Sequence, residues 1–255
     1  MSSHLAAVGA DVRRLAPLAF NASLRYEMIR AMWPAGVHDV LEVGCGLGAL
    51  GVRLAQHGRY LGLEPDEQSW AVASERLAAC GRGEARNVTV RDLGEEQFDL
   101  VCAFEVLEHI EDDAAALKEW AGRLRTPGWL MLSVPAHSDR FGPADEFAGH
   151  FRRYDPRAMA DLLTGCGFRP VQLRLYGFPL GYALESGRNA IARRRLAAMA
   201  ESSIVERTAG SGRFLQPSSS LHGTVIDWGT LPFRLVQRAF PATGTGLVAL
   251  ARYEG

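Results

Sequence analysis

Residues 40 to 48 read Val-Leu-Glu-Val-Gly-Cys-Gly-Leu-Gly, which is an apolar strand pattern followed by a glycine-rich turn. Twenty residues after Gly44, a second strand pattern ends on Glu64. Because glycine has no side chain, the glycines of such a turn let a ligand lie against the backbone at the carboxyl end of a strand. An acid that ends the next strand can accept hydrogen bonds from both hydroxyl groups of a ribose. Together these features predict a site for a nucleoside.

Apolar runs of strand length alternate with helical patterns from about residue 38 to 176. This alternation is typical of a doubly wound, mostly parallel sheet. Six strands are predicted at 37–43, 60–63, 87–90, 98–104, 129–134 and 168–176, with helices at 47–57, 67–80, 112–124 and 155–166. A seventh strand pattern at 246–253 is expected to pair with the sixth strand as a hairpin. We therefore predict an α/β fold with seven strands and a helical insertion between the last two.

We expect one domain over residues 1–255, with its core at about 37–176 and 244–255. The segment 1–36 reads as helical, and the insertion at about 177–243 is expected to form a helical cap over a substrate. Within the insertion, helices are predicted at 182–200 and 228–240, on either side of a Ser/Gly-rich stretch at 202–220. The insertion has eight arginines against four acids.

Composition argues against several classes of partner and site. The net charge of −1 and the lack of a long basic run argue against nucleic acid as a partner. The four cysteines have no C-x-x-C spacing, so we expect reduced thiols and neither disulfides nor a metal site. No stretch reaches eighteen apolar residues, and the first thirty residues do not read as an export signal. We expect a cytoplasmic protein without stable membrane insertion, and the sequence does not predict its oligomeric state.

The order of these motifs resembles that of the class I methyltransferases that use S-adenosylmethionine, over about residues 25–176 and 246–254. Glu42 to Gly48 is similar to the first motif of that family, and Gly62 to Asp66 is similar to the ribose-binding end of its second strand. Phe98 to Ile110 resembles the strand-four motif of the branch that includes quinone and small-molecule methyltransferases. His150-Phe-Arg-Arg-Tyr154 resembles a segment found in many bacterial members. A Rossmann-like methyltransferase fold is therefore expected.

The resemblance also implies roles for individual residues. It implies S-adenosylmethionine as the cofactor, with Glu64 on the ribose hydroxyls and Glu42 holding the loop and meeting the methionine amine. The other implied cofactor contacts are Gly44, Cys45, Gly46, Gly48, Pro65, Asp92, Leu93, Phe104 and Glu105. Pro65 offers an apolar contact to adenine, and Asp92-Leu93 matches the position that reads its amino group. The candidate catalytic residues are His109, His150 and Tyr154.

A nicotinamide cofactor is an alternative, because Gly46, Gly48 and Gly51 also spell G-x-G-x-x-G. That register would end the strand at Cys45 and place Glu42 beside a pyrophosphate that repels it. A purely structural glycine turn would leave the matching acid at Glu64 as a coincidence.

Several polar residues have more than one interpretation. His109 could act as a general base, cap the following helix or pack under the cofactor. The segment from His150 to Tyr154 could close over the active site, or it could be a loop anchored on Asp139, Asp145 and Glu146. The run Arg193 to Arg195 could contact a membrane or an acidic substrate, although such runs are usually solvated helix faces.

We therefore expect a methyltransferase that acts on a small, apolar or aromatic acceptor. The segment before residue 34, the loop 136–155 and the insertion are predicted to build the acceptor pocket. Four aromatic residues of the insertion suggest an apolar or aromatic acceptor, with arginines available for a carboxylate or phosphate. The same four residues could instead form the insertion's own core: Phe178, Tyr182, Trp228 and Phe233. The alternatives are a nucleic-acid or protein methyltransferase, a non-catalytic binder of S-adenosylmethionine, and an enzyme that uses the sulfonium for another reaction.

Overall fold

The computed structural model describes residues 16–198 and 220–255. Seven strands form its centre: β1 (Asp39–Val43), β2 (Arg59–Leu63), β3 (Glu84–Arg86), β4 (Phe98–Phe104), β5 (Leu124–Pro135), β6 (Phe168–Gly177) and β7 (Gly244–Tyr253). They form one sheet in the order β3-β2-β1-β4-β5-β7-β6. Strands β1 to β5 pair in parallel, and β7 runs antiparallel to both β5 and β6. The predicted mostly parallel, seven-stranded sheet is confirmed.

Helices cover both faces of the sheet. They are α1 (Phe20–Met32), α2 (Gly51–Leu54), α3 (Glu67–Cys80), α4 (Asp113–Ala121), α5 (Pro143–Ala148), α6 (Pro156–Gly165), α7 (Leu180–Ala198) and α8 (Ser220–Ala239). Successive strand residues point to opposite faces, so Leu41 and Leu61 pack in one apolar core while Val40 and Tyr60 pack in the other. The chain reverses its winding between β1 and β4, and this reversal opens a crevice at the carboxyl ends of those strands.

The third strand lies three residues earlier than predicted, at 84–86 instead of 87–90. The side-chain amide of Asn87 donates to the carbonyls of Glu64 and Pro65, which draws the chain out of the sheet. Thr89 and Asp92 then form a capping box around a short 3₁₀ helix, Val90–Asp92. Local side-chain bonds of this kind compete with strand pairing.

The helix predicted at 47–57 is also shorter than expected, since α2 begins only at Gly51. Gly48 has a φ of +72°, which a right-handed helix does not allow. The first residues of the predicted helix therefore belong to the glycine turn. In contrast, α3 has the predicted bounds, with Asp66 as its N-cap and Gly81 in the left-handed region at its end.

Strands β6 and β7 form the predicted hairpin, paired from Phe168 opposite Tyr253 to Gly177 opposite Gly244. Helices α7 and α8 both belong to the insertion at the hairpin tip. Helix α7 packs on α5 and β7, and α8 packs on α1 and β6. Most of the Ser/Gly-rich stretch at 202–220 lies outside the described residues, as does the start of the predicted N-terminal helical segment. In the described ranges, no helix has the length and apolar character needed to cross a bilayer.

Candidate functional site

A cavity of about 940 Å³ opens at the carboxyl ends of β1, β2 and β4. Its walls come from the loop after β1, the end of β2, the start of α4 and the N-terminal part of α1. Acids outnumber cations on these walls. The cations are Arg25 and Arg91, and the acids are Glu42, Glu64, Asp66, Glu105, Asp112 and Glu119. This cavity, called the first cavity below, therefore favours a ligand that carries positive charge.

The glycine turn forms one wall of the first cavity, and its glycines are required for different reasons. A Cβ on Gly44 would lie 2.6 Å from Cγ2 of Val106, and one on Gly48 would lie 2.9 Å from Cα of Ala73. At Gly46, whose φ is +53°, a Cβ would meet no atom within 4 Å. Gly44 and Gly48 thus let the protein pack on itself, while Gly46 leaves its open side to a ligand.

Glu64 fixes the turn to the end of β2. Its Oε2 accepts from the backbone N–H of Gly46 at 2.8 Å, and its Oε1 accepts from the N–H of Asp66 at 2.9 Å. Burial raises the pKa of the carboxyl, although these two N–H groups oppose that shift. Each carboxylate oxygen keeps further acceptor capacity, so Glu64 can hold the loop and still accept from a ligand.

Glu42 is buried beneath the turn, at 2% exposure. Its Oε2 accepts from the Tyr60 hydroxyl at 2.5 Å. Burial raises the pKa of Glu42 to about 7, against the opposing effects of the Tyr60 hydrogen bond and the Arg25 charge. Without a ligand, Glu42 is therefore protonated at mildly acidic pH.

The raised pKa of Glu42 leads to a pH-dependent stability. As the pH rises from about 4.5 to about 7, Glu42 ionises in the unfolded chain but holds its proton in the folded one, which lowers the free energy of unfolding. A shift of this size corresponds to about 3 kcal/mol. We expect Glu42→Gln, which cannot ionise, to gain about that much stability relative to the parent protein between pH 5 and 8. Urea unfolding at both pH values measures this gain, and Glu67→Gln, an exposed control, should show none.

Glu105 occupies the position directly after β4, with a φ of +59° that is uncommon for a residue other than glycine. Its Oε1 lies 3.1 Å from Nη1 of Arg25, 3.0 Å from the Ser133 hydroxyl and 3.2 Å from the Tyr176 hydroxyl. Burial acts to raise the pKa of Glu105, but Arg25, His150, Ser133 and Arg188 together lower it. An ionised carboxylate is thus held at the inner end of the first cavity.

The sequence interpretation missed Arg25, Ser133 and Tyr176. They come from α1, β5 and β6, so no local spacing connects them with Glu105. The available signal was Glu105 itself, since an acid that follows a buried strand needs a cation nearby.

A second cavity of about 290 Å³ adjoins the first, and Glu105 and His109 line both. Its other walls come from α1, the loop after β5 and α7, with Thr245 and Gly246 at its floor. The three segments predicted to build an acceptor pocket therefore all reach this cavity.

The His109 and His150 rings meet edge to face, with their centroids 4.6 Å apart. Burial and the nearby His150 lower the pKa of His109 to about 4, so its imidazole is neutral at pH 7. Nδ1 of His109 and both carboxylate oxygens of Glu108 are buried, and no group among the described residues hydrogen-bonds to them. Burial and the Glu105 charge raise the pKa of Glu108 well above its ordinary value.

Glu108, His109 and His150 place ligand atoms within 4.8 Å of one another, close enough to surround a metal ion. No metal site is predicted from the sequence. Since His150 is 42 positions from Glu108 in the chain, only the folded structure brings the two side chains together. A second group of three, on the surface, comprises His137, Asp139 and Asp155.

Some predicted site residues lie away from both cavities. Asp92 turns back to accept from the N–H and hydroxyl of Thr89, and Leu93 is buried in the core, so Val88 to Arg91 line the first cavity in their place. Tyr154 is buried and donates to Oδ2 of Asp113 at 2.9 Å. The structure therefore places Asp92 at a turn and Tyr154 in a loop anchor.

Four aromatic residues of the insertion also lie outside the second cavity: Phe178, Tyr182, Trp228 and Phe233. Phe178 packs on Tyr182 and Phe240, Phe233 packs against the apolar core, and Trp228 is 73% exposed. Their positions favour a packing role for these side chains over a role as walls of an acceptor pocket. They pack on one another or on the core, or they face solvent.

The loop 136–155 is anchored through buried ion pairs. Arg153 binds Asp145 with Nη2 to Oδ2 at 2.7 Å, and Nδ1 of His150 lies 2.9 Å from Oδ1 of the same acid. Arg152 reaches Asp113 at 2.9 Å. Of the three acids expected as anchors, Asp145 has this role, and His150 also faces the second cavity.

Comparisons with known proteins agree with this geometry. A protein-family model described as "Methyltransferase domain" matches residues 41–130. The ubiquinone biosynthesis O-methyltransferase of Leptothrix cholodnii is 35% identical over 101 residues, which cover 37% of this chain and 43% of that protein. An uncharacterized methyltransferase of Mycobacterium bovis is 37% identical over 118 residues, which cover 45% of this chain and 59% of that protein. The chain thus spans about half the length of the curated relatives it matches.

Solved structures show the same fold. The YcgJ protein of Bacillus subtilis superposes with a TM-score of 0.58 at 15% identity, over 92% of this chain and all of that one. Phosphoethanolamine N-methyltransferase 2 of Haemonchus contortus, in complex with S-adenosyl-L-methionine, superposes with a TM-score of 0.56 at 15% identity, over 94% of this chain and 54% of that one. The predicted methyltransferase fold and the resemblance to class I methyltransferases are confirmed.

Proposed function

We propose that this chain, which carries a class I methyltransferase fold, transfers a methyl group from S-adenosylmethionine to a small-molecule acceptor. The observation that carries the proposal is the pair of adjoining cavities. The larger one has a glycine cradle and an acid at the end of β2, and the smaller one meets it at Glu105 and His109.

The first cavity fits the donor. Gly46 leaves room for the methionine portion, Glu64 lies where ribose hydroxyls would be held, and Pro65 supplies an apolar surface for adenine. Phe104, Cys45 and Val88 add apolar wall. The excess of acids suits a ligand that carries both an amine and a sulfonium.

The chain's contribution to the reaction is to position the acceptor and exclude water. When bound, S-adenosylmethionine would supply an electrophilic methyl group for an acceptor lone pair, the carbon–sulfur bonding electrons would return to sulfur, and an acceptor that carries an O–H or N–H would also release its proton. Glu105 and His109 line both cavities. In the proposed complex they would therefore lie beside the path of the methyl group from the donor to the acceptor. His109 is neutral at pH 7 and lines both cavities, so it is the candidate base for the acceptor proton.

A turnover assay tests the proposal. The protein is incubated with S-adenosylmethionine and small phenols, amines and carboxylic acids, and the products are followed by mass spectrometry. S-adenosylhomocysteine formed in equal amount with one methylated product supports the methyltransferase. Binding of the cofactor without turnover of any acceptor would favour a non-catalytic binder, and consumption without a methylated product would favour another sulfonium reaction.

We expect His109→Gln to lower the turnover number about a hundredfold, which is the lower end of the usual contribution from a general base. The low pKa of His109 makes it a weak base, which argues for that end of the range. Steady-state kinetics with the acceptor found above measure the effect, with calorimetry to verify that S-adenosylmethionine still binds. Full activity in this variant would mean that the acceptor proton leaves by another route.

The small volume of the second cavity argues for a small acceptor over a nucleic acid or protein. Its 290 Å³ lies at the low end of the range of about 300 to 1,000 Å³ usual for ligand pockets.

A further inference from the structure

The second cavity holds more positive charge than negative. Three arginines line it, Arg153, Arg188 and Arg195, against two acids, Glu105 and Asp145. This balance is opposite to that of the first cavity, where acids are in excess. The two cavities therefore favour ligands of opposite charge.

Both acids of the second cavity are already matched by other cations. Glu105 pairs with Arg25 at 3.1 Å, and Asp145 pairs with Arg153 at 2.7 Å and with His150 at 2.9 Å. Arg153 also reaches Glu185 at 3.4 Å. The paired groups thus cancel one another and leave little charge for a ligand.

Arg188 differs from these groups. The side-chain amide of Asn21 can be oriented so that both its oxygen and its nitrogen have suitable partners. In that orientation the Asn21 oxygen accepts hydrogen bonds from Nη1 and Nη2 of Arg188 at 3.2 and 3.1 Å. Nε of Arg188 has no hydrogen-bond partner, and within residues 16–198 and 220–255 no carboxylate forms a salt bridge with this guanidinium. The charge of Arg188 helps to lower the pKa of Glu105. Its hydrogen bonds within the described residues go to a neutral amide, so this half-buried guanidinium can still bind an anion.

We propose that Arg188 binds a carboxylate of the acceptor, which makes the acceptor a small apolar carboxylic acid. This inference rests on the proposed methyl transfer. The apolar part of the acceptor would lie against Phe147, Ile191 and Ala192, and its nucleophilic atom would point to the Glu105–His109 boundary. A planar carboxylate matches the fork of N–H donors on a guanidinium and carries one charge, as Arg188 does, so a carboxylate fits better than a phosphate dianion.

Matched pairs of probes test the carboxylate. Benzoate, 4-hydroxybenzoate and cinnamate are titrated by calorimetry into protein saturated with S-adenosylhomocysteine, each against its corresponding alcohol. We expect at least one carboxylate to bind tenfold or more tightly than its alcohol. Arg188→Gln should abolish that preference, and Arg188→Lys should keep part of it. Arg194→Gln, an exposed position on the same helix, should keep all of it.

The inference is overturned if no acid in the three pairs is preferred, or if the preference persists in Arg188→Gln. Tighter binding of phenyl phosphate than of every carboxylate, lost in Arg188→Gln, would overturn the assignment to a carboxylate. Unchanged S-adenosylhomocysteine affinity in Arg188→Gln shows that the variant is folded. If the parent protein does not bind S-adenosylhomocysteine, the proposed function fails, whereas the carboxylate preference is still measured on the ligand-free protein.

Discussion

Glu64→Ala is expected to weaken S-adenosylmethionine binding by at least a hundredfold. The proposed ribose contact consists of two hydrogen bonds to an ionised carboxylate, each worth about 1.5 to 3 kcal/mol. Together these correspond to at least two orders of magnitude in the dissociation constant. The substitution also removes the acceptor for the Gly46 and Asp66 N–H groups, so the glycine turn loses its anchor on β2.

Isothermal titration calorimetry measures this affinity directly. Glu67→Ala is the matched control, because Glu67 is an exposed acid three residues further along the chain. It should bind the cofactor like the parent protein. Circular dichroism of Glu64→Ala separates lost binding from lost folding. If the folded variant binds with unchanged affinity, the ribose role of Glu64 is rejected.

Asp145→Ala is expected to lower the free energy of unfolding by about 3 to 5 kcal/mol, the usual cost of breaking one side of a buried ion pair. Asp145 and Arg153 have side chains only 3% and 4% exposed. Asp145 also accepts from His150 and from the N–H of Gly142 at the start of α5. Its removal would leave a buried guanidinium with a single, longer contact to Glu185.

Chemical denaturation quantifies the loss. Asp139→Ala, an exposed acid of the same loop, should change stability by less than about 0.5 kcal/mol. Replacing both Asp145 and Arg153 by leucine should recover much of the loss, because no charge is then left buried. Equal stability of Asp145→Ala and the parent protein would show that this ion pair contributes nothing to the fold.

Low pH should also weaken the stabilisation that Asp145 provides. His150, Arg153 and the Gly142 N–H outweigh burial and lower the pKa of Asp145 to about 2. The unfolded carboxyl has its ordinary, higher pKa, so the stabilisation is complete above pH 4 and is lost as the pH falls towards 2.

Much of the fold could be predicted because its signals are local. The glycine turn, the acid at the end of β2 and the caps of α3 each lie within a few residues. The third strand was placed too late because apolar residues at 87–90 read as a strand, while the side-chain bonds of Asn87 and Thr89 turn the chain away. Composition patterns do not reveal such bonds.

The candidate site was less predictable where it depends on residues far apart in the chain. Glu105 was predicted from its motif, but its partners Arg25 and Tyr176 lie 80 and 71 positions away. The aromatic residues of the insertion were taken as pocket walls because of their type. Whether an aromatic side chain lines a cavity or packs on a neighbour depends on how the helices pack, which residue type alone does not determine.

The position of the insertion has a consequence for how acceptor selectivity could change. The insertion leaves the sheet after β6 and returns at β7, whereas the glycine turn and Glu64 belong to the opposite half of the sheet. Replacing residues 180–239 with a foreign segment would therefore exchange the α7 wall of the second cavity and keep the glycine turn and Glu64, provided that the new segment also packs on α1. A chimaera of this kind should still bind the same methyl donor and should accept different acceptor molecules.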